Sequence, residues 1–119
     1  MEIKRCGSRP SGKGPEEYFT GTVRVDPLFD AADPTRARGA SVTFEPGART
    51  AWHSHDNGQL LLVEKGRMRA QKRGQSVKEY GAGESDYTGP NVEHWHGAAV
   101  AEPLVQINVG FSGASKWFA

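Results

Sequence analysis

The chain has 119 residues, the size of one domain with a modest core. Its 15 Lys plus Arg against 14 Asp plus Glu leave a net charge of +1, which gives no electrostatic basis for binding nucleic acid or an anionic membrane. Met1 to Arg5 lacks an apolar stretch and the longest aliphatic run is Leu60 to Val63, so neither a leader peptide nor a spanning helix is expected; Cys6, the single cysteine, has no intrachain partner, and a cytoplasmic setting follows as the expectation.

In chain order, 15 glycines and seven prolines cut the sequence into pieces of strand length, and no long helical period is present. Residues 1–18, rich in Gly, Ser, Pro and charge from residue 7 on, read as an N-terminal arm, and residues 19–110 as the core of a single domain over 1–119. Thr20 to Asp26 reads as a strand ended by Pro27, and Pro27 to Gly39 as a loop. Ala40 to Glu45 is a strand turned by Pro46-Gly47, and Arg49 to His55 a strand turned by Asp56-Asn57-Gly58. Leu60 to Lys65, Arg67 to Lys72, Val77 to Tyr80, Ser85 to Thr88, His94 to Val100 and Leu104 to Val109 complete a set of short strands. Aliphatic residues on both faces at Leu60 to Val63 predict a strand covered on both sides, by a barrel interior and by a partner subunit. Lys65, Arg67, Arg69, Lys72 and Arg73 make a basic ribbon, read as a solvated strand face. Lys116-Trp117-Phe118 near the end carries an aromatic pair that could dock on the barrel.

The chemistry sits in the four histidines, which fall as two copies of one pattern, His53-Ser54-His55 and His94-Trp95-His96. Residues i and i+2 of a strand point to the same face, so each pair delivers two imidazoles to one side of a sheet. Trp52 and Trp95 alternate with them and should point away, to pack between sheets or across a dimer interface. Gly47, His53, His55, Gln59 and Gly66 form one spaced block; Gly83, Pro90, Asn91 and His94 form a second.

At these residues the chain resembles the cupin superfamily, whose motifs read G-x5-H-x-H-x3,4-E-x6-G and G-x5-P-x-G-x2-H. Gln59 stands at the usual glutamate of the first motif. In the second, Pro90 is one place late, Asn91 holds the second glycine position, and Ala98 replaces the usual final asparagine. The resemblance implies an all-β fold, a small antiparallel β-barrel of the double-stranded β-helix or jelly-roll kind, pairing as a homodimer or higher homo-oligomer. It also implies one divalent transition metal per chain, held by His53, His55, Gln59 and His94. Three imidazoles and an oxygen donor suit manganese, iron, nickel or zinc rather than calcium or magnesium. A neutral amide in place of a carboxylate leaves the charge of the ion uncompensated and makes it a stronger Lewis acid. The alternative is that Gln59 is a hydrogen-bonding core residue and the metal is absent or adventitious.

From Gly39 to His53 and from Glu93 to Ala99 the chain is similar to bacterial cupins that include manganese-dependent hydroxynitrile lyases of the (R)-mandelonitrile type. That resemblance implies a small-molecule cyanohydrin substrate, manganese as the metal, and a pocket lined by Ala40, Val42, Thr50 and His96. It places a histidine base at the position of Gln106 and a glutamine at that of Gly110; an amide cannot take up a proton near neutrality, and glycine has no side chain. Proton transfer then falls to His96, read either as a hydrogen-bond holder or as a general base, or to a metal-bound hydroxide. Gln106 and Asn108 share one strand face, which is either wet or lines the cavity; the family topology places it inward, with Gln106 orienting substrate. Three functions remain: a lyase of hydroxynitrile type, another metal-cupin activity such as a dioxygenase or isomerase, and a non-catalytic metal- or small-molecule-binding module.

Overall fold

The computed structural model describes residues 1–118, in which all regular structure is β; Ala119 lies outside the described residues. Twelve strands are present: β1 (Gly12–Lys13), β2 (Phe19–Thr20), β3 (Val23–Asp30), β4 (Arg38–Phe44), β5 (Arg49–Thr50), β6 (His53–His55), β7 (Gln59–Lys72), β8 (Lys78–Gly81), β9 (Ser85–Thr88), β10 (His94–Ala98), β11 (Leu104–Gly110) and β12 (Ser115–Trp117). They join in one curled antiparallel sheet in the order β1-β3-β4-β11-β7-β10-β5-β2, with β8 and β9 also on β7 and β6 between β10 and β12. No helix among the described residues is long and apolar enough to cross a membrane.

β7 is the hinge of this architecture. Its first half pairs with β11 and β9, its second half with β10 and β8, so one strand passes from one wall of the half-barrel to the other. The change of wall is made at Glu64, an extra residue where the register with β11 shifts, and at Gly66, which takes a φ of 83°. A side chain at Gly66 would start 2.0 Å from the Pro103 carbonyl oxygen, so the backbone approach requires glycine. The two strands expected over Leu60 to Lys65 and Arg67 to Lys72 are therefore one bent strand. A bend of that kind is invisible to a reading that treats glycine as a terminator.

Two other expectations are corrected. Pro27 does not end its strand: β3 runs to Asp30, and its register with β4 shifts between Pro27 and Phe29. β1 covers only Arg24 and Val25, so Pro27 stands where no neighbouring strand needs its missing N–H, and its carbonyl accepts from Arg9 Nε at 2.8 Å. Arg49 to His55 is not one strand but two short ones, β5 and β6, broken at Ala51-Trp52.

The core is built from the inward file of each strand: Val23, Val42, Phe44, Leu61, Val63, Met68, Ala98 and Leu104 form one buried cluster. Alternation along β7 puts Gln59 in the same inward file as Leu61 and Val63, while Leu60 and Leu62 face outward. β11 does the same with Leu104, Gln106 and Asn108 inward and Val105, Ile107 and Val109 on the other face. The polar inward residues lie towards one end of the barrel, and that end holds the site.

Three of the five cations of the basic ribbon are paired. Arg67 meets Glu79 at 2.7 Å, Lys72 meets Asp86 at 3.3 Å and Arg73 meets Glu93 at 3.4 Å. Trp52 and Trp95 point away from the histidines and are covered by guanidinium groups, Arg73 at 4.0 Å over Trp52 and Arg49 at 4.0 Å over Trp95.

Candidate metal centre

The four histidines arrive by strand geometry. β6 contributes His53 and His55, β10 contributes His94 and His96, and the two strands are in register with His94 opposite His53. Asn91, at the turn before His94, takes a φ of 62°, the left-handed conformation that asparagine accepts more readily than most residues. That explains how this chain keeps the turn with asparagine at the second glycine position of the motif.

Ring centroids lie 4.3 Å apart for His53 and His94, 4.9 Å for His53 and His55, and 5.7 Å for His55 and His94. Gln59 Oε1, from the first residue of β7, lies 3.2 Å from His94 Nε2. His53 Nδ1 donates to the Ala51 carbonyl at 2.9 Å and His94 Nδ1 donates to the Val92 carbonyl at 3.0 Å. In the neutral ring each such bond leaves Nε2 as a bare lone pair. The Gln59 amide thus faces the His94 Nε2 lone pair across 3.2 Å, close enough to share a cation with it through Oε1 or, with the amide turned, to donate to it through Nε2. His55 Nδ1 lies 2.8 Å from Ser115 Oγ, and its Nε2 is buried with no partner. An orphaned imidazole nitrogen, anchored rings and an amide oxygen among them fit a first-row divalent ion.

His96 belongs to the same cluster. The ligating atoms of His53, His94 and His96 lie within 4.8 Å of one another, so His53 and His94 are shared by two possible donor sets. His96 differs in its surroundings: Nδ1 donates to Gln106 Oε1 at 3.0 Å, its backbone N–H donates to Thr50 Oγ1 at 3.2 Å, and Phe44 meets it edge-on at 5.9 Å. Gln106 is fully buried and its Nε2 has no partner.

Electrostatics keep these rings neutral. Burial first, then the neighbouring His94, pushes His53 down to about 3; burial and His94 push His55 down to about 4. Burial likewise lowers His94, and His96 falls well below the ordinary imidazole value through burial and then His53 and His94. Neutral imidazole is the form that ligates a metal or accepts a proton.

A cavity of about 400 Å³ opens onto one side of this cluster. His55 and Gln59 are on its wall, together with Ala40 and Asn108, while Pro27, Phe29 and Phe111 add apolar surface. Val42 and Thr50 do not reach it: both are buried, Val42 in the core cluster and Thr50 beneath His96. His96 and Gln106 also lie behind the cavity wall rather than on it. The sequence carried no signal for Ser115, and the aromatic pair near the end hinted at docking without showing where: Trp117 stacks on His53, with ring centroids 4.5 Å apart.

Comparison with known proteins agrees with this fold. The Cupin domain family model matches residues 40–110. An (R)-mandelonitrile lyase of Granulicella tundricola is 54% identical over 109 residues, which cover 92% of this chain and 83% of that protein. A cupin-like protein of Thermotoga maritima superposes with a TM-score of 0.86 at 38% identity, covering 100% of this chain and 90% of its own. A cupin 2 conserved barrel domain protein of Rhodopseudomonas palustris superposes with a TM-score of 0.79 at 13% identity over 99% of this chain and 85% of its own, which speaks to the fold alone.

Proposed function

The chain belongs to the cupin family, and on that premise we propose that it is a metal-dependent lyase of hydroxynitrile type, releasing cyanide from a small aldehyde-derived cyanohydrin or adding it in reverse. The observation that carries the reading is the convergence of His53, His55, His94 and the Gln59 amide oxygen, with His55 and Gln59 on the wall of a cavity, in a chain 54% identical to a mandelonitrile lyase. These four residues would hold the ion. Manganese is the metal the resemblance favours, with iron, nickel or zinc as alternatives; bound there, it supplies Lewis acidity towards an oxygen or cyanide donor.

The remaining steps belong to the chain's own residues. Phe29 and Phe111 offer the apolar wall that an aryl group needs, and Asn108 a hydrogen bond to a polar substituent. His96, with Nδ1–H committed to Gln106, has Nε2 free to accept the hydroxyl proton. Gln106 fixes that tautomer and cannot itself take the proton. Because His96 is buried behind the wall and its basicity is depressed, it is a weak and poorly placed base, and the wild-type rate should be low. The outer face of β11 and its neighbours supports assembly as a homodimer: Leu62 and Tyr87 are 38% and 57% exposed beside Ile107 and Val109. A cytoplasmic setting is part of the same reading.

The test is mandelonitrile cleavage followed by benzaldehyde absorbance, with manganese-loaded protein against apoprotein. Gln106→His, which restores the histidine that the resemblance places there, should raise the metal-dependent rate, by less than the ~10²–10⁴-fold of a well-placed general base because the position lies behind the cavity wall. His96→Ala should lower the wild-type rate and leave the metal in place. No metal-dependent rate in either wild type or Gln106→His refutes the lyase reading and favours an oxygenase or binding role.

A further inference from the structure

β6, the strand that carries His53 and His55, is only three residues long, and apart from the bond from Asn91 N to the His55 carbonyl at 2.8 Å its ties to the barrel are few. On one side it pairs with β10 at the single position His94↔His53. On the other side it pairs with β12 along its whole length, Ser115↔His55, Lys116↔Ser54 and Trp117↔His53. The flanks continue the zip: Asp56 N donates to the Ala114 carbonyl at 3.0 Å, Ala114 N to Asp56 Oδ2 at 2.9 Å, and Phe118 N to the Trp52 carbonyl at 2.9 Å. Side chains act on the same two imidazoles. Ser115 Oγ sits 2.8 Å from His55 Nδ1, and Trp117 lies nearly parallel to His53, 26° between planes. Tyr18 backs Trp117 at 4.2 Å, so an aromatic stack runs from Tyr18 through Trp117 to His53.

We propose that β12 is a clamp on the metal site, with Ser115 and Trp117 as positioning residues that set the orientation of His55 and His53. Ser115 accepts the Nδ1–H of His55, which fixes the tautomer whose bare Nε2 faces inward. Trp117, held by Tyr18, fixes the ring plane of His53, whose Nδ1–H is anchored by Ala51. A ring free to rotate spends part of its time with its lone pair misdirected, so loss of either support weakens metal binding without removing a ligand. The inference rests on the reading of His53 and His55 as ligands.

The experiment is metal affinity of the full chain by chelator competition, with the cobalt absorption spectrum as the signature of coordination and apoprotein melting as the measure of fold. Ser115→Ala should bind manganese about 10–100-fold more weakly, with an altered cobalt spectrum and an apoprotein melting point close to wild type. Ser115→Thr, which keeps the hydroxyl, should restore affinity, and Trp117→Phe should hold it better than Trp117→Leu. If Trp117→Leu does not fold, Ser115→Ala decides alone. Affinity within about twofold of wild type and an unchanged spectrum in Ser115→Ala and in any folded Trp117→Leu would overturn the clamp while leaving the metal centre standing. A wild-type protein that takes up no stoichiometric metal overturns both.

Discussion

Acidification should destabilise the metal-free protein well above the range where carboxylates titrate. In the unfolded chain each histidine takes up its proton near its ordinary value of about 6.5. In the folded chain burial delays that uptake, to about 3 for His53 and about 4 for His55. Between the two values the unfolded state binds the proton and the folded state does not, so stability rises with pH there and is lost as pH falls below about 6.5. At pH 5, about 1.5 units below the unfolded value, the loss is about 2 kcal/mol for His53. Half-buried His55 adds somewhat less, for a combined loss of about 3 kcal/mol; His94 and His96, lowered in the same direction, deepen it. Urea unfolding of chelator-treated protein at pH 8 and pH 5 reads this directly. With a slope of about 1–3 kcal/mol per molar urea, the midpoint should fall by about 1–3 M. His55→Gln, which cannot titrate, should lose less over the same interval. A midpoint that stays flat from pH 8 to pH 5 would show that these rings are not held neutral by burial, and the account of the site given above would fail with it.

Two further outcomes test the site and the fold separately. His94→Ala should retain less than a full equivalent of metal after dialysis and forfeit the melting increment that metal gives wild type, since ligation energy adds to folding energy; elemental analysis and a melting curve suffice. Gly66→Ala should lower the melting midpoint by about 10 °C or more, because the added carbon collides with the Pro103 carbonyl at a backbone angle that favours glycine.

What the sequence made legible was periodic and local. A His-x-His pair on a strand puts two imidazoles on one face whatever the surroundings, so the four histidines could be grouped before any coordinates. Alternation likewise placed Gln106 and Asn108 on one face of β11, and the structure turns that face inward. The misreadings share a cause: Pro27, Gly66 and the Ala51-Trp52 break depend on which neighbouring strand lies alongside, and a chain read in one dimension does not contain its neighbours. Proline ends a strand only where its missing N–H was needed, and glycine ends one only where the ladder does not resume. Ser115 and Trp117 are further from reach still. Nothing in Ser-Lys-Trp announces a partner, since the pairing with β6 is a fact of barrel closure. The cavity boundary was illegible for the same reason: Ala40 and Val42 are equivalent by alternation, yet only the former reaches the opening.

The pairing of β6 with β12 has a kinetic consequence. Gln59 and His94 are separated by 35 residues, and His55 and Ser115 by 60, so the site closes only through loops of that size. Long-range antiparallel pairing is the slow part of folding, on the order of milliseconds to seconds for all-β domains, because the entropy of loop closure is met before the contacts that reward it. During that interval His53 and His55 are two proposed donors already close in the chain, with Gln59 four residues on, while His94 is still distant. An ion caught at this stage tethers nothing distant, so it should accelerate the final closure little. Its effect should fall on unfolding, which must open β12 and β10 from a strand that an ion on the proposed ligands would join to both β7 and β10. A metal held by the proposed ligands would thus be a brake on the way out more than a guide on the way in.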